Sequence, residues 1–255
     1  MVLLALTILL GMFAVTTLGT AGVKPWDPRC VVPFVASCVL GAAFLGHSRR
    51  SPAPFIAVRL LLGKSFLAMN VVNVVYGTVV LGFAALVPLY AQNRYQMPLA
   101  SAGTLLTARA IGTVCLAGLA AMMLRRTGCR LPMVVGFSAI AFGLVMLAIE
   151  APTSVPPYLW LAGWSLLTGL GMGVSTPATN NATLQLAPDD IAQIAGLRGM
   201  FRQAGGILSV SITTALLARS SNPGTTQAYM FVAEAALMLL MVGLVFVVPD
   251  HKGRW

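Results

Sequence analysis

Phe66-Leu-Ala-Met-Asn-Val-Val-Asn-Val-Val-Tyr-Gly-Thr-Val-Val-Leu-Gly-Phe-Ala-Ala-Leu-Val-Pro-Leu-Tyr90 is a run of 25 residues without a single charge. Coiled as a helix it is about 37 Å long at ~1.5 Å per residue, enough to cross a hydrocarbon layer of roughly 30 Å. Its apolar residues follow one another instead of alternating, so it reads as a spanning helix and not as a barrel strand. Seven more stretches of the same character flank it: Val2–Val23, Val31–Gly46, Ser101–Leu124, Leu131–Ile149, Tyr158–Asn180, Ile194–Leu217 and Ala228–Val248. The expected fold is all-α: a polytopic transmembrane bundle of about eight spans, with the lipid bilayer as its solvent.

Composition agrees. The chain of 255 residues is 58% hydrophobic and 9% charged, with a mean hydropathy of +0.89. A soluble domain averages about 25% charged. The net charge of +10 does not indicate nucleic acid, because the basic residues are scattered over loops at the ends of spans instead of gathered on one face. The first span starts almost at Met1 and lacks the basic lead of a secretory signal. Cys30, Cys38, Cys115 and Cys129 have no metal-type spacing, and His47 and His251 are the only histidines. Neither a metal nor a cofactor is expected.

The short loops organise the chain. His47–Lys64 carries Arg49, Arg50, Arg59 and Lys64, with Pro52 and Pro54 breaking regular structure. Arg125, Arg126 and Arg130 form a basic loop after the fourth span. Ala187-Pro-Asp-Asp190 reads as a helix start, since Asp suits the positive end of a helix dipole. Ser220-Ser-Asn-Pro-Gly224 reads as a turn. The loops after spans two, four and six, with the tail, hold eleven basic residues, and the other loops hold Lys24, Arg29, Arg94 and Arg219. That bias places both termini in the cytoplasm.

Four short motifs carry a resemblance. Leu86-Val-Pro-Leu-Tyr-Ala-Gln92 followed by Pro98-Leu-Ala-Ser-Ala-Gly103 is one. The others are the Arg126-Thr-Gly-Cys-Arg130 loop, Gly169-Leu-Gly-Met-Gly173 with Pro177, and Arg202-Gln-Ala-Gly-Gly206. In this order and spacing the chain resembles the C-terminal part of the major facilitator superfamily, in its fourteen-span drug:proton antiporter group. The resemblance implies two central helices with a linker over residues 1–64 and a six-helix transporter bundle over residues 65–255. It implies proton-coupled efflux of lipophilic drugs or small metabolites by alternating access in the plasma membrane. It also implies a partner, an N-terminal six-helix half that this stretch does not contain. Where the family's basic loop has an acidic residue, this chain has Arg125, which removes the carboxylate of a conformational latch. That loss, and the missing half, leave open a non-transporting membrane scaffold or inactive remnant. No Ser/His/Asp order, paired carboxylates or phosphate loop marks an enzyme.

The expected pathway residues are the polar ones inside spans. Arg109 lies about 12 Å into the fourth span. A cation at that depth costs several kcal/mol unless it meets water or a partner. It either lines a cavity or snorkels to the interface. Glu234, in the eighth span, is a candidate for proton exchange or for pairing with Arg109. Asn70 and Asn73 share a face of the third span and serve either a cavity or interhelical bonding. Asn180 continues a stripe from Gly169, Gly173 and Thr176 on the sixth span. Gln203 shares a broad face of the seventh with Gly206, Ser209 and Thr213, and Arg202 is expected near the membrane entrance, meeting lipid phosphate or a loop.

Overall fold

The computed structural model describes residues 2–18, 20, 23, 26–50, 63–186 and 191–247. Among them are eight helices and no strand: α1 (Val2–Leu18), α2 (Pro28–Arg50), α3 (Lys64–Tyr95), α4 (Leu99–Thr127), α5 (Arg130–Ala148), α6 (Pro157–Leu184), α7 (Ile191–Leu217) and α8 (Pro223–Val245). Four of them, α3, α4, α5 and α8, are long and apolar enough to cross a membrane. Two of the remainder, α6 and α7, carry the polar stripes.

Local chemistry sets the boundaries. The α3 helix ends where Gln96 turns left-handed, at φ 53°; its N–H donates to the Gln92 carbonyl at 3.0 Å, and the Met97 N–H donates to the Ala91 carbonyl at 3.3 Å. The α4 helix ends at Gly128, at φ 74°, a backbone that glycine adopts without strain. The eighth helix starts at Pro223 and not at Ala228. Asn222 accepts the Thr225 N–H at 3.3 Å, and Pro223 fills the first helical position, where no N–H is needed. The supposed turn is therefore a helix cap. The second helix runs on through Arg50, so His47–Arg50 belong to it. Pro52 and Pro54, and the expected helix start at Ala187–Asp190, lie outside the described residues.

The burial pattern is inverted relative to a water-soluble domain. Val114 and Met122 of α4 are each 75% exposed, whereas Gln227 and Glu234 of α8 are 0% and 4% exposed. Such wide apolar exposure is suited to lipid. The polar groups face inward.

Packing divides α3–α8 into two triplets. The α3 helix packs on α7 and α8, α6 packs on α4 and α5, and α5 meets α8. Exchanging α3–α5 with α6–α8 maps this scheme onto itself, the plan of an inverted repeat. The closest seams repeat the plan. A Cβ on Gly77 of α3 would enter the Arg202 carbonyl of α7, and one on Gly205 of α7 would enter the Val74 carbonyl of α3. In the other pair, Gly169 of α6 meets the Arg109 carbonyl of α4, and Gly112 of α4 meets the Leu166 carbonyl of α6. Small residues let these backbones touch without intervening side chains.

The α1 and α2 helices pair with each other and rest on the bundle chiefly through α1 on α7. Ser37 donates to the Thr7 carbonyl at 2.7 Å within the pair. Between the pair and α7 lies an apolar cavity of about 400 Å³, lined by Gly11, Met12, Phe34, Met200, Phe201 and Ile207 among others.

Candidate functional site

The polar residues inside the bundle fall into three seams. They do not converge on one cavity.

The first lies where α3, α6 and α7 meet. Asn73 donates to the Met69 carbonyl at 2.8 Å and to Thr183 Oγ1 of α6 at 3.3 Å. One turn along α3, the Tyr76 hydroxyl lies 2.8 Å from both Ser175 Oγ and Thr176 Oγ1 of α6. Arg202 of α7 stacks its guanidinium on the Tyr76 ring, 4.4 Å from the centroid. Arg202 thus has a ring of α3 as its neighbour, a contact that its position in the sequence does not reveal. It is the twelfth residue of α7, about 16 Å from the helix start. The aromatic face there offers it a cation–π contact. Asn70 is buried beside this seam, and Asn180, half-buried, lies on α6 between Thr176 and Thr183.

Most of the hydroxyls on α6 are satisfied within their own helix. Thr168, Ser175, Thr179 and Thr183 each donate to the carbonyl four residues back. They are glue and local bracing, a common use of Ser and Thr in spanning helices.

The second seam joins α3, α7 and α8. Ser209 donates to Glu234 Oε1 at 2.6 Å, while Oε2 is buried without a hydrogen-bond partner. Gly82 of α3 leaves room for this contact, since its Cβ would sit 3.5 Å from Glu234 Oε1 and closer still to Ser209. Two turns before Glu234, Gln227 donates to the Leu86 carbonyl of α3.

The third joins α3 and α4. Arg109 donates from Nη1 to the Val80 carbonyl at 2.9 Å and lies 5.2 Å above the Phe83 ring. Arg109 and Glu234 thus do not pair: Arg109 is held by α3 and Glu234 by Ser209 of α7. Among the described residues the ion pair is Arg94 with exposed Glu150, at 3.4 Å. Arg109 and Arg202 occupy equivalent places in the two triplets, each presenting its carbonyl to a partner glycine.

Gln203 is exposed and borders, together with Gly206, a cavity of about 340 Å³ lined also by Thr16, Leu81 and Val210, whereas Ser209 and Thr213 are buried. In the basic loop, Arg126 is exposed and the Arg125 side chain lies outside the described residues. Arg130 donates to the Phe246 carbonyl at 3.2 Å, tying the start of α5 to the end of α8.

Tyr76 and Gln227 are the site residues that the sequence reading did not single out; for Arg202 it missed only the partner, the Tyr76 ring. Tyr76 continues the Asn70–Asn73 spacing by one more step of three. Gln227 was hidden by the late placement of the eighth helix, which the Asn222-Pro223 cap signal corrects.

An inward-polar, outward-apolar bundle built of two inverted helix triplets is the architecture of a multi-pass membrane protein of the secondary-transporter class. The family model of the Major Facilitator Superfamily matches residues 1–210 and again 69–255, and the chain belongs to that family. It is 28% identical over 199 residues to the Multidrug resistance protein B homolog of Mycobacterium tuberculosis, covering 77% of this chain and 37% of the relative. It is 24% identical over 184 residues to the Quinolone resistance protein NorB of Staphylococcus aureus, with 70% and 39% covered. To the Multidrug resistance protein 3 of Bacillus subtilis it is 26% identical over 140 residues, with 55% and 27% covered. Its matched part thus spans between about a quarter and two fifths of the length of these relatives.

Proposed function

We propose that the chain forms one wall of a proton-coupled efflux transporter for lipophilic compounds, working by alternating access in the plasma membrane with both termini cytoplasmic. Family membership and the drug-resistance names of its relatives support the efflux part. Transporters of this class rock two repeats about a site near the midplane. The second wall is a further six-helix bundle, joined to this one or supplied by another polypeptide. The bias of basic residues toward alternate loops supports the orientation.

The observation that carries the proton part is Glu234. A carboxyl buried in a spanning helix is costly and is a functional candidate by default. Its one bonded oxygen faces a hydroxyl, and its other oxygen is free to gain or lose a proton.

The test is ethidium transport in inside-out vesicles, with the chain joined to a six-helix N-terminal half from a related protein. A proton gradient is expected to drive uptake. Glu234→Gln is expected to abolish gradient-driven uptake while leaving downhill exchange in place. Absence of any flux in the joined protein overturns the transporter reading. Unchanged gradient dependence in Glu234→Gln overturns the role of that residue.

A further inference from the structure

We infer that Arg198 and Arg202 of α7, with Asn70 of α3, form a binding site for an oxyanion, a carboxylate or phosphate group, at the α3/α6/α7 seam.

The register of α3 and α7 places these residues together. The Phe66 side chain of α3 packs in one small cluster with Ile194 and Leu197 of α7. Farther along, Gly77 abuts the Arg202 backbone and Gly205 abuts the Val74 backbone. Both helices run in the same direction between those contacts. Asn70 lies one turn past Phe66 and Arg198 one turn past Ile194, so the two are level. Ile194, Arg198, Arg202 and Gly205 are spaced four, four and three apart, which puts them on one face of α7. That face is the one turned to α3.

The polar atoms there are unusually short of partners. Arg198 Nε and Nη1, and Arg202 Nε and Nη2, are buried without a hydrogen-bond acceptor. Asn70, only 6% exposed, has its amide oxygen unpartnered, and so have Asn73 and Asn180. An asparagine amide can turn either end toward a ligand, so Asn70 can supply N–H groups to an anion. The amide oxygens alone do not resolve the imbalance. They can accept N–H bonds but they cancel no charge. Two guanidinium groups one helical turn apart repel each other, and in a water-poor interior such charges need an opposite one.

No described carboxylate is available to supply it. Asp27 accepts the Arg29 N–H, Glu150 pairs with Arg94, and Glu234 accepts from Ser209. A planar guanidinium fork matches carboxylate and phosphate oxygens, and two forks in one seam set a bidentate site. Arg202 is held in place from behind by the Tyr76 ring, which leaves its N–H edge for the ligand. The same chemistry has two sources: an anionic solute or the headgroup of an anionic lipid.

The experiment uses the full chain purified in a non-ionic detergent. Thermal unfolding is followed with sodium phosphate or citrate against sodium chloride at matched ionic strength. Native mass spectrometry follows retention of phosphatidylglycerol against phosphatidylcholine. We expect a saturable rise of several degrees with phosphate or citrate, selective retention of phosphatidylglycerol, or both. Arg198→Gln is expected to weaken the effect about tenfold, a loss of one charged contact worth about 1.4 kcal/mol. Arg126→Gln, in the exposed loop, leaves it unchanged. Arg202→Lys keeps the charge but not the fork, and is expected to weaken binding while preserving the fold. A response to the soluble anions assigns the site to solutes. A response confined to phosphatidylglycerol assigns it to lipid. Responses that are identical in the original chain and in Arg198→Gln overturn the site. So does a response that appears only when Asp189 and Asp190 are changed to Asn, which would make the counter-charge internal.

Discussion

At the scale of single residues, the glycines divide sharply by what surrounds them. Gly205 faces the Val74 carbonyl at a distance no Cβ can occupy, and a carbonyl within a helix has nowhere to move. Gly205→Ala is therefore expected to lower stability by roughly 1–3 kcal/mol, the usual range for overpacking. Gly118 and Gly163 have nothing within 4 Å of their ideal Cβ positions. Gly118→Ala and Gly163→Ala are expected to be neutral or to gain up to about 1 kcal/mol from helix propensity. Thermal unfolding in detergent separates the two classes, and equal effects at all three sites would contradict the seam geometry. The arginines divide in the same way. Arg109 and Arg202 are both held against rings of α3, so neither behaves as a snorkelling cation, and depth alone in the sequence could not tell which neighbour each would find.

At the scale of elements, the α1–α2 pair is the separable part. It packs on itself and leans on α7, and the six remaining helices close their seams without it. A chain starting at Gly63 is expected to keep the helical content of α3–α8, read by circular dichroism in detergent, and to elute as a single species. Collapse of that shorter chain would mean that the pair nucleates the bundle. Element existence was legible in the sequence for a simple reason: most spans are long, predominantly apolar runs with few charges, and lipid imposes a minimum length. Which polar residues share a seam was not legible. Asn70, Asn73 and Tyr76 reveal their common face through spacing, but the close approach of α7 to that helix is set by the small residues at Gly77 and Gly205, which permit contact without naming a neighbour. The eighth helix shows the cost of ignoring a cap, since reading Asn222-Pro223 as a turn pushed Gln227 out of the bundle.

At the scale of the whole molecule, the two triplets fix the sides of the membrane on which the connections fall. Gln96, between α3 and α4, and Arg126, at the end of α4, must emerge on opposite faces. In a background with the four native cysteines replaced, Gln96→Cys is expected to react with an impermeant maleimide in intact cells. Arg126→Cys is expected to react only after permeabilisation. Labelling of both from one side would contradict the fold. The glycine seams have a mechanical consequence as well. Side chains that interlock like gear teeth must change rotamer before two helices can slip past each other. Backbone resting on backbone presents smooth tracks instead. With one such track in each triplet, α3 against α7 and α6 against α4 form a matched set of plain bearings, on which the bundle can twist by small steps without first unpacking.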